Sequence, residues 1–102
     1  MDQGYKLSKD AEKDLYEVAR YTLDKWGKAA LQQYRDGLKE TFDAIARNEV
    51  VARQFSKRFP QLRVTKYRYH YIFYTGEGSG MPIIIGVIHE KRDIVNRLKE
   101  RF

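Results

Sequence analysis

The chain has 102 residues, contains no cysteine and carries a formal charge of +6. A chain of this length builds one modest core, and we predict a single domain over residues 1–102. The lack of cysteine excludes a disulfide framework and a thiolate zinc site. No apolar segment approaches membrane-spanning length, and the polar first residues are not followed by the apolar region of a signal peptide. We therefore expect a cytoplasmic protein without membrane contact.

The positive charge is confined to the second half of the chain. Residues 1–50 carry nine Lys or Arg against ten Asp or Glu, a net charge of −1. Residues 51–102 carry eleven against four, a net charge of +7. This asymmetry favours a nucleic acid or an acidic protein as partner, and charge that serves only solubility is the alternative.

Two amphipathic helices are predicted in the first half. Ser8 suits a helix N-cap, and apolar residues then recur at steps of three and four up to Trp26. Gly27 suits the stop after this helix, and a second apolar stripe runs from about 28 to 48. The one-residue link predicts an antiparallel helical hairpin, in which we interpret Trp26 and Tyr34 as packing residues.

Strands are predicted in the second half. Residues 49–61 are interpreted as an irregular basic loop. Residues 62–75 are dense in aromatic and β-branched residues, so they predict a hairpin that turns near 67–69. The glycine-rich segment 76–80 predicts another turn, and the apolar run that starts at Pro82 predicts a strand buried on both faces.

A charged segment follows the last strand. Residues 89–93, His-Glu-Lys-Arg-Asp, are five polar residues in a row, which we name the elbow. Ile94, Leu98 and Phe102 at spacing four then predict a short final helix. With a short first strand at 4–7, the element order is β-α-α-β-β-β-α. We therefore predict an α+β fold in which a helical hairpin packs on a small antiparallel sheet.

The predicted sheet carries apolar side chains on both faces. Alternation places Tyr69, Tyr71 and Phe73 on one face, with Ile72 and Tyr74 on the other. In the last strand, alternation places Ile83, Ile85 and Val87 on one face and Ile84 and Ile88 on the other. Helices on one side cover one face, so we expect the final helix to cover part of the second face and a separate chain to cover the rest.

One set of side chains has the chemistry for catalysis: Arg63, Arg68, His70, His89, Lys91 and Arg92. A histidine among cations can transfer protons while Arg and Lys stabilise a developing phosphorane, as in metal-free RNA cleavage. Strand register decides whether Arg68 or His70 faces His89. Alternatively, His89 only ends a strand, Asp93 caps the last helix, and Lys91 and Arg92 are solvated. We find no metal-ligand or phosphate-loop pattern, and expect no cofactor.

Over nearly its whole length, the chain resembles toxins of the RelE/ParE superfamily from bacterial type II toxin–antitoxin modules. The resemblance rests on KWG at the end of the first helix, the strand YHYIFY, the glycine turn and the final IIIGVIHEKRDIVNRL. Its most specific part is an apolar strand, then His89, two variable residues and Arg-Asp-Ile at 92–94. This pattern is more similar to the ParE branch than to the ribosome-dependent ribonuclease branch.

The resemblance implies a toxin that a cognate antitoxin neutralises in a hetero-oligomer, and the basic second half favours an acidic C-terminal segment of that antitoxin. ParE-branch toxins poison DNA gyrase, which implies a non-enzymatic action through protein contact. The predicted target-binding residues are Arg63, His89, Lys91, Arg92 and Asp93. The predicted antitoxin-binding residues are Tyr69, Tyr71, Phe73, Ile94 and Leu98.

Two other functions stay open. RelE-branch members cut mRNA in the ribosomal A site, and the six residues with catalytic chemistry are the candidates for that activity. No tyrosine follows the last strand in the elbow, a departure from such ribonucleases that favours the gyrase hypothesis. ParE-like proteins commonly carry a glycine before the arginine that opens the second strand, and here the sequence is PQLR. A family member that mainly holds its antitoxin is the third hypothesis.

Overall fold

The chain forms a mixed sheet with helices on both faces. A computed structural model describes residues 4–76 and 80–101, so residues 77–79 of the predicted glycine turn and Phe102 lie outside the described residues. The elements within them are β1 (Lys6–Leu7), α1 (Lys9–Trp26), α2 (Lys28–Ala46), β2 (Arg53–Ser56), β3 (Phe59–Tyr67), β4 (His70–Thr75), β5 (Ile83–His89) and α3 (Ile94–Lys99). The strand order is β1-β5-β4-β3-β2.

The predicted α+β class and the helical hairpin are confirmed. The sheet differs from the prediction in two respects. β2 and the first residues of β3 occupy part of the segment interpreted as an irregular loop, and β1 pairs parallel to β5 in a sheet that we expected to be antiparallel. β2 is a four-residue edge strand without β-branched residues, so its local signal is weak. The direction of β1 depends on the path of the chain through the hairpin, which no local pattern encodes.

The helical hairpin follows from its capping residues. Ser8 Oγ accepts a hydrogen bond from the backbone N–H of Ala11 at 3.0 Å, which satisfies a donor of the first turn. Gly27 separates α1 from α2 with a φ of 89°, a conformation that favours glycine. Its N–H donates to the carbonyl of Leu23 at 3.0 Å. These local interactions fix where each helix begins and ends.

The hairpin covers what we name the first face of the sheet. The buried residues on this side are Tyr5, Ala11, Leu38, Phe42, Ile45, Ile72, Tyr74, Ile84 and Val87. Gly37 allows α2 to approach the sheet closely, because the Tyr67 side chain occupies the space that a Cβ at this position would need. Each large apolar side chain buried here stabilises the fold by roughly 1.5–3 kcal/mol.

The second face is covered in part by α3. Its buried residues are Leu62, Val64, Phe73, Ile88 and Leu98. Leu98 is the buried residue that α3 contributes, and it is fully excluded from solvent. The prediction that the final helix covers part of this face is confirmed, whereas coverage by a separate chain stays a prediction.

A β-bulge in β5 changes which residues share a face. Tyr74 pairs with Ile84, and Phe73 pairs with Gly86, so Ile85 has no counterpart in β4. Ile84 therefore lies with Val87 on the first face, and Ile85 packs on the second. The predicted division of this strand by strict alternation is wrong, because the extra residue shifts the alternation by one position.

The edge of β5 beyond β1 is closed by side chains. Among the described residues, β1 pairs with only the first two residues of β5. Further along, Asp14 Oδ2 accepts from the N–H of Val87 at 2.9 Å, and Arg101 Nη1 donates to the carbonyl of Ile85 at 3.1 Å. Arg101 also binds Asp14 with two hydrogen bonds, of 2.7 and 2.9 Å. The side chains of this Asp14–Arg101 pair are 6% and 9% exposed.

None of the helices in residues 4–76 and 80–101 combines the length and apolarity needed to cross a bilayer.

Candidate functional site

The ends of β4 and β5 bring two histidines together. His70 and His89 are cross-strand partners with ring centroids 5.2 Å apart. Arg68 and Tyr69 form the turn that joins β3 to β4, where the hairpin turn was predicted, and Arg68 adopts a φ of 52°. His70, and not Arg68, therefore faces His89 across the sheet.

The surroundings of His70 hold it neutral. The hydroxyl of Tyr34 lies 2.5 Å from His70 Nδ1. Burial, reinforced by the charge of nearby His89, lowers the pKa of His70 from 6.5 to about 4. Burial likewise raises the pKa of Tyr34 to about 12, so the hydroxyl keeps its proton. Neither pKa is matched to proton transfer near pH 7, where acid–base catalysis is most efficient.

His89 forms a stacked platform with the turn. Its Nδ1 accepts a hydrogen bond from the N–H of Lys91 at 3.1 Å, so the neutral ring carries its proton on Nε2. The ring of Tyr69 stacks on His89 with centroids 6.5 Å apart and an interplanar angle of 19°. The two rings present flat faces at this end of the sheet.

The last three residues of the elbow are exposed, and one of them also has a structural role. Asp93 caps α3, because its carboxylate accepts from the N–H of Asn96 at 3.5 Å and from the Asn96 amide at 2.6 Å. Lys91 and Arg92 are exposed. Helix capping accounts for the presence of Asp93, whereas the two cations are accessible to a partner.

Glu90 is not positioned as an acid–base partner of the histidines. Its carboxylate binds Lys66 Nζ at 2.6 Å, and this hydrogen bond holds the pKa of Glu90 below its usual range. Glu90 is therefore ionised at neutral pH and cannot donate a proton. Across residues 4–76 and 80–101, no group of three or more His, Asp or Glu side chains could hold a metal ion.

Arg63 lies away from the other predicted site residues. Arg63 pairs with Tyr74, whereas the β3 residue that pairs with His70 is Tyr67. Arg63 precedes Tyr67 by four residues. Four residues of strand span about 13 Å. The six residues considered for RNA cleavage are therefore not brought into one cluster, because the pairing of β3 with β4 fixes Arg63 further along the sheet.

The residues predicted to bind an antitoxin are divided between surface and core. Tyr69 lies in the turn and is exposed, whereas Tyr71 and Phe73 lie on the second face of the sheet. The strand alternation that placed all three on one face does not extend into the turn. Tyr71 and Ile94 are partly exposed. Phe73 is fully buried in the sheet, and Leu98 is the α3 residue that packs into the same cluster, so neither presents surface to a partner in this conformation.

A groove that we did not predict from the sequence opens beside the histidine pair. It lies between the end of α1, the start of α2, the β3–β4 turn and the elbow, with a volume of about 570 Å³, and we name it the aromatic groove. Its lining residues are Tyr21, Thr22, Trp26, Ala30, Gln33, Tyr34, Arg68, Tyr69, His70, His89, Glu90 and Lys91.

The interpretation of Trp26 as a packing residue is wrong, since its side chain is 66% exposed in this groove. Thr22 is the last buried residue of α1, so the apolar stripe leaves the core one turn before the helix ends. Tyr34 does pack, against the rings of Tyr67 and His70. Trp26 and Tyr34 both continue the apolar periodicity of their helices, so the sequence pattern does not separate them. Their burial differs because the end of α1 extends beyond the core.

Comparison with known proteins places this fold among bacterial toxins. Residues 5–94 match the family model described as the ParE toxin of type II toxin–antitoxin system, parDE. The toxin ParE of Escherichia coli is 31% identical over 98 residues, which cover 96% of this chain and 95% of that protein. The toxin ParE1 of Mycobacterium tuberculosis is 30% identical over 98 residues, covering 96% of this chain and 100% of that protein.

Proposed function

We propose, from the premise that this chain belongs to the ParE family of toxins of type II toxin–antitoxin systems, that it poisons DNA gyrase in the cytoplasm and thereby inhibits growth. A toxin of this family has a cognate antitoxin as its partner. The proposed action is non-enzymatic and proceeds by contact between the elbow and gyrase.

One observation carries the proposal: His70 is held neutral by its surroundings while two cations of the elbow are exposed. His70 is neutral at pH 7 and hydrogen-bonded to Tyr34. Lys91 and Arg92 project from the turn that follows β5. Exposed cations on a rigid support favour recognition of a partner by charge complementarity.

Cleavage of mRNA is the alternative. It is favoured by the presence of Arg68, His70, His89 and two exposed elbow cations at the same end of the sheet. It is disfavoured by the position of Arg63, about 13 Å along β3 from the residue that faces His70. The two activities leave different products and can be separated directly.

The test is a gyrase cleavage assay with purified toxin and supercoiled plasmid. We expect the toxin to trap broken plasmid DNA, which a protein denaturant and a protease then release. The double variant Lys91→Ala/Arg92→Ala should need roughly tenfold more protein for the same cleavage, since it loses two contact cations. The matched control, Lys57→Ala/Arg58→Ala, removes the same charge from the exposed β2–β3 turn and should act like the parent.

The same protein is added to ribosomes translating a defined mRNA. Codon-specific mRNA cleavage without gyrase-dependent plasmid cleavage would replace the gyrase proposal by the ribonuclease alternative. The absence of both activities from folded protein would favour a member that mainly holds its antitoxin.

We further propose that an acidic C-terminal segment of the antitoxin contacts Tyr69, Tyr71 and Ile94 in a toxin–antitoxin hetero-oligomer. These three residues are exposed or partly exposed. The net charge of +7 on residues 51–102 favours an acidic partner.

A further inference from the structure

The aromatic groove exposes three large rings on a small protein. Trp26 is 66% exposed, Tyr69 is 60% exposed and Tyr21 is 58% exposed, and all three line the groove. Aromatic side chains gain most when they are buried, so a cluster of exposed rings in a concavity marks a binding surface. A second concavity shares Tyr21 and both histidines with the groove and extends the surface along α1, past Glu17 and the paired Asp14, and to Arg92 and Arg97.

The charge of the groove favours an anionic ligand. Arg68 and Lys91 are the cations that line it, and both are exposed. Among the described lining residues, the single carboxylate is that of Glu90, which is already bound to Lys66 at 2.6 Å. The groove therefore offers two cations and no carboxylate without a counter-charge.

Two further polar groups of the groove, on α2, are neutral and can form hydrogen bonds. Gln33 contributes an amide and Tyr34 a protonated hydroxyl, which lies against His70. Neutral donors and acceptors beside flat rings suit the edges and faces of nucleobases. An acidic peptide would be held chiefly by the cations. The antitoxin segment proposed above shares only Tyr69 with the groove and leaves Trp26 and Tyr21 without a role.

We propose that the aromatic groove binds single-stranded nucleic acid, with bases stacked on Trp26 and Tyr69 and phosphates bound by Arg68 and Lys91. A duplex is excluded as the ligand because its bases are already stacked on each other. The inference goes beyond the contact with gyrase proposed above, because binding is a property of the isolated toxin and is measured without gyrase.

The chain provides its own reporter for the test. Trp26 is the only tryptophan in the sequence, so intrinsic tryptophan fluorescence reports occupancy of the groove directly. Purified toxin is titrated with short oligothymidylate and oligouridylate at low ionic strength. We expect saturable quenching with both, and binding that weakens steeply as salt is added because phosphate contacts release counterions.

Variants then locate the binding site. Tyr69→Ala should weaken binding about tenfold in the quenching assay, and Trp26→Ala about tenfold in the anisotropy of a labelled oligonucleotide, since each removes one stacking surface. Arg68→Ala should lower the slope of log affinity against log salt by about 0.7, the value of one phosphate contact on a single strand. The matched control is Tyr16→Ala, which removes a ring on α1 that is also 66% exposed but does not line the groove.

Several outcomes would overturn the inference. One is the absence of binding at low ionic strength. A second is an equal loss of affinity in Tyr16→Ala and Trp26→Ala. A third is equal affinity for a duplex of the same length. A fourth is equal quenching by oligoglutamate, which would assign the groove to an acidic peptide instead. Each of these results leaves the gyrase assay unaffected, so the two proposals fail independently.

Discussion

The two faces of the sheet are covered in different ways. The first face lies under α1 and α2, which contain 18 and 19 residues. The second face lies only in part under α3, which contains six residues. Both faces hold a buried apolar cluster, yet the smaller cover has one fully buried residue of its own, Leu98.

The difference shows what each face requires to stay covered. A long helix is held by many apolar contacts along its stripe, so that no single contact is decisive. α3 is too short to be stable alone. It is held by Leu98 and, just beyond its end, by the Asp14–Arg101 pair, whose members are 87 residues apart in the sequence. We therefore expect the second face to be the more easily uncovered.

The largest effect is expected from Arg101→Ala. This change leaves the Asp14 carboxylate buried without its counter-ion, which should lower the free energy of unfolding by about 3–5 kcal/mol. Chemical denaturation measured by circular dichroism gives the value. In the double variant Asp14→Ala/Arg101→Ala, the loss should be smaller than the sum of the two single losses, because the two side chains act as one unit. A loss below about 1 kcal/mol, as for an exposed ion pair, would contradict this account of how α3 is held.

A pair of leucine variants compares the faces directly. Leu98→Ala on the second face and Leu38→Ala on the first each delete a buried side chain, so each should cost about 2–5 kcal/mol of unfolding free energy. Only Leu98→Ala should also increase binding of the dye ANS under native conditions, because detachment of α3 exposes the apolar residues beneath it. Equal dye binding by the two variants would contradict the expectation that the second face is more easily uncovered than the first.

The smallest effect concerns pH and belongs to the first face. His70 has a pKa of about 4 in the folded protein and 6.5 without its surroundings, so the unfolded chain binds more protons between these values. The stabilisation is fully present above pH 6.5 and is lost as the pH falls towards 4. Between pH 6.5 and about pH 5 we expect a loss of about 1 kcal/mol, reduced by partial solvent screening of the ring.

Four groups define the environment of His70 in this experiment: Tyr34 on α2, Asp14 on α1, His89 on β5 and Glu90 in the elbow. His70→Gln provides the control, because glutamine keeps a polar group near Tyr34 but does not titrate. Denaturation curves of this variant should lose most of the pH dependence in that interval. An unchanged dependence would assign it to other groups.

The features predicted from the sequence are those decided by neighbouring residues. The capping bonds of Ser8 at the start of α1 and of Gly27 at its end join residues within four positions, so residue types and spacing were sufficient to predict the two helix ends. The β3–β4 turn also depends on local strand-forming patterns on either side. The fold class follows from the order of such elements.

The features that the sequence could not provide depend on residues far apart along the chain. The Asp14–Arg101 pair joins two residues that no periodicity connects. The pairing of His70 with His89, and the displacement of Arg63 from them, follow from strand register. The exposure of Trp26 depends on where α1 passes the end of the sheet. A candidate site assembled from residue types alone therefore included Arg63 and omitted the aromatic groove.

The bulge at Ile85 has a consequence for changes in chain length. Because Ile85 has no counterpart in β4, a homologue that lacked this residue would still place His89 opposite His70 and keep both on the first face. A deletion after Gly86 would instead turn the histidine to the second face and carry the elbow with it. A one-residue deletion should therefore be tolerated among the three isoleucines of β5, whereas one-residue deletions between Gly86 and His89 should be absent from relatives that retain this site.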